Sequence, residues 1–94
     1  MRTALRTHPE LAGLAELRAA GWSFRAFPDA DGEIAGLVGW RNGARCTDAL
    51  WIFDRDECRA ARIRGAGEAA GETLWGRAGD LETCVAALLA LPAA

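Results

Sequence analysis

Lysine is missing from this sequence altogether: all 11 basic side chains are arginine. Together with the heavy use of Ala and Gly, this reads as the coding bias of a GC-rich genome rather than selection for guanidinium chemistry. No run approaches the roughly 20 apolar residues that a bilayer crossing takes, and no N-terminal segment has the apolar core of a signal peptide. The three cysteines, Cys46, Cys58 and Cys84, are odd in number and far apart. That spacing argues against a disulfide framework and fits reduced thiols in a cytosol. No C-x-x-C pair offers zinc two ligands from one turn. The only histidine, His8, sits where a first helical turn is expected, a surface position that mildly disfavours a cation.

Other chemistries are missing too. Neither Gly65-Ala66-Gly67 nor the Gly76 to Gly79 stretch belongs to a G-x-x-x-x-G-K-[ST] loop or a parallel β-α-β unit. Asp54, Asp56 and Glu57 lack the alternating ligands and closing Glu of a calcium loop. A formal charge of −2 exerts no overall pull toward nucleic acid or anionic lipid. The expectation is a non-enzymatic bacterial protein of the cytoplasm, with no catalytic residue, no metal, no cofactor and no membrane attachment.

What is present makes one small domain over residues 1–94, with 1–6 expected to fray. Apolar residues make up 51% and charged residues 26%, too apolar for a disordered chain. Thr7-His8-Pro9-Glu10 matches a capping box, and Leu11, Leu14, Ala15 and Leu17 form a stripe ended by Gly21, which predicts a helix over 8–20. Trp22–Phe27 alternates as a strand. Pro28 to Gly32 is turn chemistry. Glu33–Trp40 and Arg45–Phe53 follow as strands around Asn42-Gly43, a pair suited to a type I′ turn. The Asp54-Arg55-Asp56-Glu57 segment reads either as a loop into a fourth strand, Cys58–Ile63, or as the cap of a short helix, with the strand preferred. Glu72–Arg77 is a last strand. Asp80 caps a final helix with Leu81, Val85, Leu88 and Leu91 at helical spacing, closed by Pro92. The fold class is therefore α+β: two layers, an N-terminal helix, an antiparallel meander of four or five strands and a C-terminal helix.

A two-residue Asn42-Gly43 turn would set Trp40 opposite Arg45 and Val38 opposite Thr47, and a five-residue first loop would set Phe24 opposite Gly36. One face then collects Trp22, Phe24, Ile34, Val38, Trp40, Trp51 and Phe53, the expected floor for both helices. The opposite face carries Phe27, Leu37, Leu50 and Ile52, rimmed by Arg25, Arg41 and Asp48. An apolar strip rimmed by charge has the composition of an association surface, so these seven residues are the candidate interface for a homodimer or another protein; the alternative is that the segment from Cys58 to Gly71, or one helix, folds over that face. Two other functional readings remain. Arg55, Arg59, Arg62 and Arg64 form a basic segment that would suit nucleic acid, although Asp54, Asp56 and Glu57 offset it. A small-ligand pocket between helices and sheet near Trp75 is the other.

Leu74-Trp75, Gly79 and Val85-Ala86-Ala87-Leu88-Leu89-Ala90-Leu91-Pro92, with Leu17-Arg18-Ala19-Ala20-Gly21-Trp22 and the Trp40, Asp48, Leu50 segment, resemble short uncharacterised proteins of GC-rich actinobacteria. The resemblance spans about half the chain. Its motifs are a cap, a core Trp and a terminal helix, and it implies no activity.

Overall fold

The computed structural model describes residues 9–65 and 71–93, with side chains from residue 12 onward. The expected capping box at Thr7 to Glu10 lies outside the described side chains. Helix α1 (Pro9–Ala19) precedes strands β1 (Ser23–Pro28), β2 (Ile34–Asn42), β3 (Cys46–Asp54), β4 (Glu57–Arg64) and β5 (Thr73–Gly79), and helix α2 (Leu81–Ala90) follows. The strands form one antiparallel sheet in chain order. The fold is the expected α+β arrangement, with the segment after Asp56 taking the strand alternative.

Local chemistry sets the element ends. Gly21, at φ 99°, closes α1 in a Schellman motif. Its N–H donates to the Arg18 carbonyl and the Trp22 N–H to the Leu17 carbonyl, both at 3.1 Å. Leu17 and Trp22 are both buried in the core, which is the apolar contact such a motif favours. At α2 the Asp80 carboxylate accepts from the Thr83 N–H at 2.7 Å, and Leu81, Cys84, Val85 and Leu88 bury one stripe.

Two turns depart from expectation. Neither Asn42 nor Gly43 has a positive φ, so no type I′ turn forms. Instead Gly43 N–H donates to the Cys46 carbonyl at 2.8 Å and Thr47 Oγ1 donates to Asn42 Oδ1 at 2.9 Å. The wider turn pairs Trp40 with Ala49 rather than Arg45. This slide is even, so β2 and β3 keep their face memberships. In the first loop Asp29 Oδ1 accepts from the N–H groups of Asp31 and Glu33, and a bulge forms at Phe27/Pro28. Phe24 therefore pairs with Gly39, not Gly36. This slide is odd, and an odd slide exchanges the faces of a strand.

The consequence is a correction to the expected core. Trp22 and Phe24 join Leu37, Leu50 and Ile52, and both helices pack on that side, with Cys58, Ala60 and Trp75 completing its floor. Val38, Trp40, Trp51 and Phe53 alternate onto the opposite face, which is uncovered among the described residues. The covered side admits helices closely because its residues are small where the backbone must approach. A Cβ on Gly39 would strike the Phe24 ring, and one on Gly13 of α1 would lie 3.0 Å from Val85 Cγ1 of α2. The smallest dimension of the molecule, 21 Å, is that of one sheet under one helix layer.

Leu50 is fully buried at the centre of this layer. Leu50→Ala is expected to cost about 2–5 kcal/mol through lost transfer energy and a residual cavity, read as a lower urea midpoint with unchanged slope.

Candidate functional site

The uncovered face is built by alternation. Its side chains come from Arg25 and Phe27 of β1, Ile34, Val38 and Trp40 of β2, Ala49, Trp51 and Phe53 of β3, and Arg59, Ala61 and Ile63 of β4. Phe27 and Phe53 meet edge to face with centroids 5.8 Å apart, and the Phe27 ring lies where a Cβ on Gly36 would stand. Ile34 is 74% exposed and Phe53 44% exposed. Toward β5 the relief falls: Ala61, Gly76 and Ala78 floor a shallow hollow of about 400 Å³ walled by Trp51, Arg59, Ile63 and Thr73. The face is thus a bulky aromatic ridge over β1–β3 beside a depression over β4 and β5.

The expected interface set divides between the two sides. Arg25 and Phe27 lie on the open face. Leu37, Leu50 and Ile52 lie under the helices, Leu50 fully and Ile52 nearly fully buried. Asp48 is buried too, in a row of charge crossing three strands. It pairs with Arg41 on β2 and Arg62 on β4. Arg62 grips it with two bonds, Nε to Oδ1 at 2.8 Å and Nη2 to Oδ2 at 3.1 Å, while Arg41 Nη2 stands 3.6 Å from Oδ2. Hydrogen bonding to Asp48 raises the Arg62 pKa above its ordinary value, so the guanidinium stays charged. The arginines also reach outward, Arg62 Nη2 donating to the Pro92 carbonyl at 2.6 Å and Arg41 Nη1 to the Ala20 carbonyl at 3.5 Å. Of the three charges expected at the rim of an open face, Arg41 and Asp48 belong instead, with Arg62, to a bracket between sheet and helix ends, and Arg25 alone lies on the open face.

The basic segment is divided as well. Arg55 occupies the β3–β4 turn, its carbonyl accepting from the Leu81 N–H at 2.7 Å. Arg59 lies on the open face, Arg62 is committed to Asp48, and Arg64 Nε lies 3.3 Å from Glu72 Oε2. These four do not form one cationic surface. Trp75 packs half-buried against the core cluster. His8 lies outside the described residues.

Among the described residues no three His, Cys, Asp or Glu side chains are placed to hold a metal ion, and no helix is long and apolar enough to cross a membrane. Cys58 and Cys84 are buried and Cys46 is half-buried. Burial first, then the neighbouring Cys84 and the carboxylates of Asp80, Asp54 and Asp56, push the Cys58 thiol from its ordinary 9.0 up to about 11. Burial, then Asp80, raises Cys84 as well. At neutral pH both are thiols rather than thiolates, which leaves them poor nucleophiles.

Sequence reasoning missed Ile34, Val38, Trp40, Trp51 and Phe53 as open-face residues. The available signal was the charge pattern: Arg41, Asp48 and Arg62 become one mutually paired row once β4 is a strand, and a paired row belongs inside. The chain matches no protein-family model, and no curated protein or solved structure is significantly similar to it.

Two outcomes follow. Asp48→Ala strands two arginines and is expected to cost about 3–5 kcal/mol. Arg41→Ala, which removes a one-third-exposed side chain at the longer distance, is expected to cost under about 1 kcal/mol; chemical denaturation of both variants checks the order. The second concerns alkali. The sequence has no Lys and no Tyr, so the ionisations that folding opposes in alkali are those of the buried thiols Cys58 and Cys84. Folding favours the protonated Cys58 thiol, so that stability is complete below pH 9 and declines as pH rises toward 11. Thermal melts across this window should show the decline, and Cys58→Ala should make it shallower, with the raised Cys84 thiol supplying what remains.

Proposed function

We propose that this chain is a non-enzymatic interaction module of the bacterial cytoplasm that acts as a homodimer, two copies meeting through the open faces of their sheets. The observation that carries the reading is the composition of that face. Phe27, Ile34, Val38, Trp40, Trp51, Phe53 and Ile63 share the side of a five-stranded sheet that neither described helix covers. Such contiguous apolar area marks association surfaces. Arg25 and Arg59 are its basic side chains, and Glu57 lies at one corner.

Size supports a second copy as the occupant. Five strands at about 4.8 Å spacing and roughly seven residues at about 3.3 Å rise span on the order of 550 Å² in projection. Two such faces together, about 1,100 Å², clear the roughly 1,000 Å² floor expected of a biological interface. A nucleic-acid strand could also stack on exposed rings beside arginines; the net charge of −2 weighs against it. Three reduced thiols fit a reducing compartment.

Sedimentation velocity up to high micromolar concentration tests the reading. The wild type should sediment as a dimer, and Phe53→Asp as a monomer with an unchanged far-ultraviolet spectrum, because Phe53 is already 44% exposed. A wild type that stays monomeric throughout, or a face occupied instead by a single-stranded oligonucleotide with steeply salt-dependent affinity, would overturn it.

A further inference from the structure

The relief of the open face specifies how two copies would meet, an inference that rests on the homodimer reading above. Two rows of paired residues cross all five strands on this face. One runs Arg25, Val38, Trp51, Arg59, Ala78; the next runs Ser23, Trp40, Ala49, Ala61, Gly76. In the second row a single large ring on β2 faces a succession of the smallest side chains on β3, β4 and β5. The hollow of about 400 Å³ is centred over that small end, between Ala61 and Gly76. A cavity of about 150 Å³ already holds a benzene ring, so the hollow has room for an indole.

We propose that the dimer axis runs along β3 in the plane between the two sheets, so that Trp40 of each copy fills the hollow over Ala61 and Gly76 of the other. Packed sheets keep their strands within about 30° of each other and lie about 10 Å apart. Two in-plane two-fold axes meet that condition. An axis along the strands exchanges left and right while keeping each row opposite itself. β2 then lies over the partner's β4 and β1 over its β5, which brings Trp40 opposite Ala61 and Trp51 opposite its own copy. An axis across the strands lays β2 on β2 and β4 on β4, stacking ridge on ridge and leaving two hollows facing each other unfilled. Close packing is the rule at interface cores, and the face is self-complementary only in the first arrangement. Each contact off the axis, Trp40 with Ala61 among them, is then made twice, as an isologous interface requires.

Gly76→Leu is the direct test. A Cβ at Gly76 would meet nothing nearer than the Ala60 carbonyl oxygen at 3.7 Å, so the monomer accommodates the side chain while the hollow is filled. The dimer dissociation constant, measured by sedimentation equilibrium, should rise at least tenfold with circular dichroism and melting temperature retained. Trp40→Ala should weaken the dimer comparably, and the double variant should be little worse than either single one, because both remove the same contact. If Gly76→Leu does not fold, Ala61→Leu places the same bulk from β4. A wild type without any dimer sinks this register together with the homodimer reading. A dimer lost in Phe53→Asp but unchanged in Gly76→Leu, or fully additive effects in the double variant, sinks the register alone.

Discussion

Asp48 is the group on which the architecture turns. A carboxylate with no solvent exposure survives in an apolar layer only if its charge is answered at close range, and Arg62 answers it with two hydrogen bonds. The arrangement constrains more than the pair. The three charged residues sit on adjacent strands in one row, so the meander must be in register across β2, β3 and β4 before the carboxylate is satisfied. The arginines then spend their remaining donors on carbonyls beyond the sheet: Arg41 on Ala20 at the end of α1, Arg62 on Pro92 just past α2. Cations are favoured at helix C-termini, where unpaired carbonyls concentrate partial negative charge. One buried acid thus aligns the strands and ties both helix ends to them.

This bracket also explains why the more aromatic face is left uncovered. Hydrophobic content alone would send the helices to Trp40, Trp51 and Phe53. Covering that side, however, would leave Asp48 and its arginines in water and bring helices down on upright rings. The other side supplies partners for the helix ends and, through Gly39, Cys58 and Ala60, a floor low enough for Cys84, Val85 and Leu88 to reach. Trp22 and Phe24, stacked with centroids 6.3 Å apart, fill the flank beside α1. The bulk left over, Trp40, Trp51 and Phe53, lies on the far side of the sheet.

The elements were legible in the sequence because their signals are local. Gly21, Asp80, Pro92 and the alternation in each strand act over a few residues, and the structure follows them to within about two positions. The candidate site was less legible because it depended on parity. One bulge at Phe27/Pro28 moved strand one by an odd step and exchanged its faces, whereas the wider turn at Asn42-Gly43 slid the register by an even step and left the faces of β2 and β3 as expected. Side-chain capture by Asp29 and Thr47 decided both turns, a competition that residue types announce but do not resolve. Arg25 and Phe27 were placed on the open face, whereas Leu37, Leu50 and Ile52 were assigned to the wrong side for want of knowing that Asp48 would be paired from both sides.

The sheet also has two free edges, and how they end bears on what the molecule can become. Along β1 the ladder breaks at a bulge and stops at Pro28, which has no N–H to offer. Along β5 a second irregularity, opposite Arg62 and Ile63, bends the strand just where its outer rim would otherwise run straight. Neither margin presents the long regular row of donors and acceptors that another strand could extend. Sideways addition of a further strand is therefore discouraged at both margins, a brake on fibre growth built from one proline and two breaks in register.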